Sequence, residues 1–440
     1  MPKDATHHGR PWMRKSAAAG FALAVGATLL AGCSSDAGSA PTLTWYINPD
    51  DGGQAELAKR CTDQSGGAYT IETSLLPNDA ASQREQLARR LAAGDTTMDI
   101  MSLDPPNVPE YAEPGYLAPI PQDVQERTTQ NVVEGALTGA TWKGELVAVP
   151  FWANTQILWY RKSVAEAAGL DMTQPVTWDQ LINAVREQDK FLSVQGARAE
   201  SMTVWVNALI ESAGGQIVEN PDAPADEIEL GIDTEAGAKA AQIVSTIGKD
   251  GLGGPGLPTQ TENFSMIQFQ GDKGAFMVNY PFVWPATNAA VAEGTLPQSL
   301  VDDIGWALYP QVNEGEDTAP PLGGIDLAVG SKSKHPDLAY EAIECIVSPE
   351  NQAYYFQTNG NPPSNTEAYN DPTALETFPM AGTIQESLQL AKPRPQTPYY
   401  NEISTGIQQT WTPPSDVNPD TTPATSQEFI LAVLKGERLL

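Results

Sequence analysis

The sequence predicts an α/β fold with at least two domains. Its length of 440 residues exceeds what a single hydrophobic core usually organises. Residues 42–103 alternate between segments typical of strands and segments typical of helices, an order that predicts a parallel sheet with helices on its faces. Residues 149–162 (VPFWANTQILWYRK) have an irregular first half and an apolar second half. This pattern predicts that the chain crosses here from one compact unit to another.

The first unit begins with a strand, a polar turn and a helix. Residues 42–47 (TLTWYI) have the alternation and aromatic content of a strand, and the turn at residues 48–53 contains Asp50 and Asp51. In open sheets, ligands bind beyond the carboxyl ends of strands, where this turn and Asp104 would lie. The pattern continues with a helix at 54–65, a strand at 69–75, an amphipathic helix at 82–91 with a Ser82 cap, and a buried strand at 98–103.

The crossing segment divides at Asn154. Residues 157–160 form a short apolar run rich in β-formers, which predicts a buried strand. Pro150 lacks the N–H that a strand ladder needs, so we do not expect the first half to form the centre of a strand. Asn154 would then be exposed at the crossing point. The alternative interpretation is a strand in the middle of a sheet with a polar end.

The rest of the chain continues this mixture without an internal repeat. Residues 323–329 (GGIDLAV) predict a second crossing into a strand. Proline-rich stretches follow at residues 392–395, which include Arg394, and at residues 412–423. Further strands are predicted at residues 274–279 and 305–309, and helices at residues 164–169, 178–188, 202–213, 236–247, 262–269, 336–347 and 426–434.

The N-terminus has the order of features found in bacterial lipoprotein signals. Four basic residues precede an apolar run at residues 16–31, which is too short for an ordinary membrane-spanning helix, and the run leads through Gly32 to Cys33. We therefore predict a lipoprotein signal peptide at residues 1–32, with the lipidated Cys33 and a flexible tether at residues 33–41. The alternative is an ordinary signal peptide with a chance cysteine.

The composition restricts the partners of the chain. A formal net charge of −30 opposes binding to nucleic acid or to an anionic membrane surface, because phosphate groups would be repelled. Most acidic surfaces simply confer solubility. Cys61 and Cys345 remain after Cys33, and in an oxidising compartment they would form a disulfide or, alternatively, stay as two buried thiols. With so few Cys and His residues, we expect no metal site and no cofactor.

Three kinds of side chain are found at predicted strand ends and crossings. They are carboxylates and amides, aromatic rings, and Arg394, which lies between Pro393 and Pro395. A neutral polyol needs this mixture, because polar groups share hydroxyl hydrogen bonds and aromatic faces cover the CH faces of sugar rings. Taken singly, each could equally be a turn cap or a core residue. Catalytic motifs such as GxSxG and HExxH are absent from the sequence, so we expect no catalytic residues. A glycosidase, which needs only two carboxylates, stays as an alternative.

Several motifs resemble the maltose-binding-like solute-binding proteins of ABC importers and, within them, the trehalose-binding lipoproteins of actinobacteria. The resemblance extends over nearly the whole mature chain, and Cys61 and Cys345 stand at matching places. Tyr280 is a departure, because the trehalose-binding relatives have Trp there. The motifs are MDIMSLD at 98–104, NTQILWYR at 154–161, VWVNALIESAGG at 204–215, GDKGAFMVNYPFVW at 271–284 and LGGIDLAV at 322–329.

The resemblance implies a two-lobe periplasmic-binding-protein fold with open sheets flanked by helices and the ligand cleft at the hinge. Residues 42–152 and 324–361 would form the first lobe, and residues 153–323 and 362–440 the second. It implies a monomer, anchored by lipid to the outer face of the cell membrane, that delivers a disaccharide such as trehalose to the permease subunits. Malto-oligosaccharides and glycerophosphodiesters are the alternative ligands. The ligand-binding residues that it implies are Asp50, Asp51, Gln83, Asp104, Asn154, Glu262, Tyr280, Phe282, Gly324 and Arg394.

Overall fold

The computed structural model describes residues 40–440. The predicted signal peptide, the lipidated Cys33 and most of the tether lie outside these residues. The described strands are β1 Thr42–Ile47, β2 Thr70–Leu75, β3 Ile100–Leu103, β4 Thr141–Trp142, β5 Glu145–Leu146, β6 Val149–Thr155, β7 Ile157–Arg161, β8 Phe191–Ser193, β9 Gly274–Asn279, β10 Ile304–Ala307, β11 Pro321–Ala328 and β12 Lys392–Pro393.

Helices cover both sheets and supply much of the cleft wall described below. The described α-helices are α1 Gly53–Gln64, α2 Ala80–Ala92, α3 Val108–Ala112, α4 Gln122–Thr128, α5 Glu134–Gly139, α6 Lys162–Ala167, α7 Trp178–Glu187, α8 Glu200–Ser212, α9 Glu235–Lys249, α10 Glu262–Gln270, α11 Val283–Ala292, α12 Gln298–Asp303, α13 Pro336–Ile346, α14 Pro349–Asn359, α15 Pro372–Thr377, α16 Ala381–Leu390, α17 Tyr400–Thr410 and α18 Thr422–Leu434. Within residues 40–440, no helix is both long and apolar enough to cross a membrane.

The first sheet has the order β12-β11-β3-β1-β2, and β6 also pairs with β11. β1 pairs in parallel with β2 and β3, as the alternation of strands and helices predicts, whereas β11 runs antiparallel to β3 and β6. Leu43 and Trp45 pack into one core and Tyr46 into another, so both faces of the sheet are covered. The short strand β12 joins this sheet, although the predicted second lobe includes residues 362–440.

The second sheet has the order β10-β7-β9-β8. Successive residues of β7 point to opposite faces: Ile157 and Trp159 belong to one hydrophobic core, and Leu158 belongs to the other. Because β7 follows β6 almost directly, the chain passes at residues 155–157 from the first sheet to the second. The predicted crossing is therefore present, but Asn154 is half-buried within β6 rather than exposed at the crossing point. The predicted lobe boundaries stay a prediction.

The expectation that the first half of the crossing segment does not form the centre of a strand is wrong. Residues 149–155 form β6, and Pro150 lies opposite Asp326 where the register with β11 shifts between Ile325 and Asp326. An irregularity of this kind accommodates a residue that cannot donate to the ladder. The predicted Ser82 cap is also wrong: α2 starts two residues earlier, and the Asp79 side chain accepts a hydrogen bond of 2.8 Å from the Ser82 amide.

A disulfide joins Cys61 on α1 to Cys345 on α13, across a sequence separation of 284 residues. Both helices pack on the core of the first sheet, which contains Leu57 and Ile343. The bond therefore ties the N-terminal part of this lobe to the segment that returns to it after β11.

Candidate functional site

A cleft of about 710 Å³ lies between the first sheet and the helices of the second lobe. The first-sheet side contributes residues that follow β1 and β3, together with the N-terminal part of α2. The opposite side consists of the first turns of α8 and α10 and one face of α17. The crossing strands β6 and β11 form the floor between them. A ligand held here would contact both lobes and the segments that connect them.

Seven of the ten predicted ligand-binding residues line this cleft. Each lies on or directly after a different helix or strand, so only the fold brings them together. These residues are Gln83, Asp104, Asn154, Glu262, Tyr280, Gly324 and Arg394.

The other three predicted residues do not line the cleft. The Asp50 carboxylate accepts hydrogen bonds from the backbone amides of Gly52 at 3.0 Å and Gln54 at 2.7 Å. It therefore pairs N–H groups that would otherwise lack an acceptor at the start of α1. Asp51 is exposed beside it. Phe282 is half-buried against the core that covers one face of the second sheet. Asp50 is therefore a turn cap and Phe282 a core-packing residue, the alternatives given for single residues of these types.

Arg394 is the most buried charge in the cleft, with only 6% of its side chain exposed. Its Nη1 and Nη2 donate to Oδ2 and Oδ1 of Asp104 at 3.1 and 2.5 Å. Nη1 also donates to Oε1 of Glu200 at 2.6 Å. Burial acts to lower the pKa of the guanidinium, but the carboxylates of Asp104 and Glu200, with Tyr400, raise it well above its usual range. Arg394 therefore stays charged and is shared between two carboxylates.

Glu200 is a cleft residue that was not predicted. It is the first residue of α8, and its carboxylate accepts hydrogen bonds from Tyr400 and, at 2.7 Å, from Ser404, both on α17. Burial first, and then the charge of Glu200, raises the pKa of the Tyr400 hydroxyl. In the sequence, Glu200 only precedes the predicted helix at residues 202–213, and an acidic residue near a helix start is common. That signal does not distinguish a helix-end residue from a site residue.

Glu262 stands at the start of α10 on the second-lobe side of the cleft. Burial raises the pKa of its carboxyl group, and the charge of Glu200 raises it further. Burial likewise raises the pKa of the neighbouring Tyr280 hydroxyl. Both groups therefore tend toward their protonated forms, in which a hydroxyl can donate a hydrogen bond as well as accept one.

Three polar atoms in the cleft wall lack a partner. Within the part of the chain that the structure describes, Asn48 Oδ1, Trp152 Nε1 and Ser201 Oγ are buried without a hydrogen bond, and all three residues line the cleft. Buried polar groups are normally paired. A ligand with several hydroxyl groups, or water, could supply the missing donors and acceptors.

The floor of the cleft depends on close contact between β6 and β11. Gly324 pairs with Ala153 and has a φ of +137°, a conformation that L side chains rarely adopt. A Cβ at this position would lie 2.1 Å from the Trp152 carbonyl oxygen. Asn154 is opposite Gly323, and its Oδ1 accepts from the Thr155 amide at 3.1 Å. The glycine therefore allows the two crossing strands to meet at the floor of the cleft.

Comparison with known proteins identifies the family. A family model described as "Bacterial extracellular solute-binding protein" matches residues 56–379. The chain belongs to this family. The match covers most of both sheets and most of the segments that form the cleft, although Asn48, Arg394 and α17 lie beyond it.

Individual relatives are distant but similar over most of their length. A probable ABC transporter-binding protein of Deinococcus radiodurans is 24% identical over 408 residues, which is 87% of this chain and 91% of that protein. The galactooligosaccharide-binding protein of Bacillus subtilis is 22% identical over 351 residues, with coverage of 78% and 76%. The structure of maltose-bound T. maritima MalE3 has a TM-score of 0.75 at 24% identity, covering 91% of this chain and 100% of that one. This likeness confirms the predicted two-lobe fold.

Proposed function

We propose that this solute-binding protein captures a neutral sugar, preferably a disaccharide such as trehalose, and delivers it to the permease of an ABC importer. The observation that carries the proposal is the convergence of carboxylates, an amide and an arginine on one cleft beside the Trp152 and Tyr280 rings. Hydroxyl groups of a sugar can donate to the carboxylates and accept from the arginine, while the rings cover its CH faces.

The relatives support a sugar rather than another solute. One of those described above is named for galactooligosaccharide binding, and the similar T. maritima structure contains maltose. These ligands are neutral and rich in hydroxyl groups. The unpartnered Asn48 Oδ1 and Trp152 Nε1 need partners of that type, one donor and one acceptor. The choice of trehalose among sugars rests on the sequence motifs alone. Tyr280 has a smaller ring than the Trp of the trehalose-binding relatives, so a difference in the preferred sugar would arise at this residue.

Thermal unfolding of the soluble chain from residue 34 onward, with and without candidate ligands, tests the proposal. A ligand that binds only the folded state stabilises it by about 2.7 kcal/mol at a hundred times its dissociation constant. We expect trehalose to raise the melting temperature more than maltose, galacto-oligosaccharides or glycerophosphocholine. Stabilisation by glycerophosphocholine alone would contradict the proposal, and release of monosaccharide on incubation would support a hydrolase instead.

We further propose that Cys33 anchors the protein to the outer face of the membrane. The support is the order of basic residues, apolar run and cysteine at residues 1–33. A Cys33→Ala variant should lose lipid labelling and membrane association, whereas a Ser34→Ala variant should keep both. Membrane association of the Cys33→Ala variant equal to that of wild type would refute the anchor.

A further inference from the structure

The charge of Arg394 is already balanced before a ligand enters. Its two terminal nitrogens make three hydrogen bonds to carboxylates, two to Asp104 and one to Glu200. One positive charge therefore faces two negative charges, and this group of three side chains has a formal net charge of −1. The side chains of Asp104 and Glu200 are 23% and 26% exposed, so both anions border the open part of the cleft.

Glu200 is fixed in this position by groups that do not need a ligand. Its Oε1 accepts from Arg394 and Tyr400, and its Oε2 accepts from Ser404 at 2.7 Å. The Ser404 hydroxyl in turn lies 2.8 Å from the Thr203 hydroxyl, one turn further along α8. With both oxygens engaged by three side chains, the carboxylate cannot swing away from the cleft to make room for an anion.

The other cations of the cleft do not compensate for this charge. Arg84 is paired with Glu110 at 2.7 Å, and Arg198 is exposed to solvent, where its field is screened. Glu262, on the second-lobe side, supplies no positive charge either. An anionic ligand that approached the buried Arg394 would therefore first meet the fixed negative charge of Asp104 and Glu200, which are only partly exposed and so are less screened than surface charges.

We propose that Glu200 is a specificity-determining residue: together with Asp104 it occupies Arg394 and makes the cleft accept neutral polyols and reject phosphorylated or other anionic ones. This inference rests on the proposed sugar-binding function and gives Glu200 a role within it. In this arrangement Arg394 holds the carboxylates of Asp104 and Glu200 in place and donates hydrogen bonds to sugar hydroxyl groups. It does not bind a phosphate group.

A graded set of charge variants tests the inference. Glu200→Gln changes the formal charge of the group from −1 to 0, and Asp104→Asn with Glu200→Gln changes it to +1, both with little change in shape. The ratio of dissociation constants for trehalose 6-phosphate and trehalose, measured by calorimetry, should fall about tenfold in Glu200→Gln. The matched control is Glu235→Gln, which removes one charge from a residue whose side chain is 84% exposed and contacts Lys239 instead. Its ratio should equal that of wild type.

Inorganic phosphate provides a second measurement that does not require sugar binding. At equal ionic strength set with sodium chloride, phosphate should raise the melting temperature of the double variant, raise that of Glu200→Gln less, and leave wild type and Glu235→Gln unchanged. Equal stabilisation of wild type and both cleft variants, or of none, would overturn the inference. If trehalose fails to bind wild type, the proposed function fails while the phosphate series still decides the role of Glu200. If the double variant does not fold, Glu200→Gln decides it.

Discussion

The Arg394 guanidinium donates one hydrogen bond to each carboxylate oxygen of Asp104, from a position 290 residues later in the chain. Asp104 directly follows β3 in the first sheet, and Arg394 directly follows β12, which pairs with the crossing strand β11. Parallel bonds of this kind combine charge with a fixed orientation and are stronger than bonds between neutral groups. We therefore expect the two residues to act on a ligand as one unit, rather than as independent contacts from opposite sides.

We expect Arg394→Lys to weaken sugar binding at least tenfold while the fold is retained. A lysine keeps the charge but cannot hold both oxygens of Asp104 and reach Glu200 from a planar group. Loss of one charge-assisted hydrogen bond costs about 1.5–3 kcal/mol, which corresponds to roughly a ten- to hundredfold change in affinity. Titration calorimetry measures the change, and Arg89→Lys, at a position outside the cleft whose side chain is 75% exposed, is the control. Wild-type affinity in Arg394→Lys would remove Arg394 from the site.

Much of the fold was predictable because its elements repeat strong local patterns. The strands at residues 42–47 and 274–279 have the predicted limits. The first has the alternation and aromatic content of a strand, and the second is built on the short apolar run at residues 275–278. The region around Pro150 was not predictable. Whether a proline interrupts a strand depends on the register with a partner nearly two hundred residues away, and the sequence does not contain that register.

Some residues of the candidate site could be predicted from the sequence, and others could not. Asp104 could be predicted because it follows a strand end, and the position of such ends is set by local sequence. Glu200 could not, because its role depends on Tyr400 and Ser404, which reach it only through the packing of α17 against α8. Asp50 was predicted for the same reason as Asp104, yet its carboxylate satisfies two backbone amides at the start of α1. Position at a strand end does not show which way a side chain turns.

Gly324→Ala should destabilise the protein, whereas Gly323→Ala should not. The new Cβ of Gly324→Ala would lie 2.1 Å from the Trp152 carbonyl oxygen at a φ of +137°, so β6 and β11 would have to separate. At Gly323 the nearest atom outside its chain neighbours is Nη2 of Arg394 at 4.0 Å. We expect a loss of about 1–3 kcal/mol in the free energy of unfolding for Gly324→Ala and less than about 0.5 kcal/mol for Gly323→Ala, measured by urea denaturation. Equal losses would contradict the close contact.

The Cys61–Cys345 disulfide should stabilise the first lobe mainly by restricting the unfolded chain. For a loop of 284 residues, the chain-entropy relation gives a stabilisation of about 5.6 kcal/mol at 25 °C, and measured values are usually smaller. A variant with both cysteines changed to alanine should unfold at lower denaturant concentration than the oxidised protein. Reductant should shift wild type toward the variant and leave the variant unchanged. If both cysteines can be alkylated in folded protein that has not been treated with reductant, the disulfide is absent.

Glu211 should make the stability of the protein depend on pH between about 4.5 and 7. Burial raises its pKa from 4.5 to about 7, against the opposing charge of Lys392 and with help from Glu219. In this range the folded protein holds a proton that the unfolded chain has released. Stability is therefore greatest below the unfolded pKa, falls as the pH rises through this range, and is level above it.

Replacement of this carboxyl group separates its effect from that of the other acidic residues. Glu211→Gln cannot ionise, so its free energy of unfolding should exceed that of wild type by about 1–3 kcal/mol at pH 8, with a difference that shrinks toward pH 4.5. The control is Glu187→Gln on α7, at an exposed position, where we expect a difference of less than about 0.5 kcal/mol at every pH. Urea denaturation at intervals of half a pH unit measures both curves. A difference between Glu211→Gln and wild type that stays constant with pH would show that Glu211 does not hold a proton in the folded protein, because only a change in proton binding makes the two curves converge.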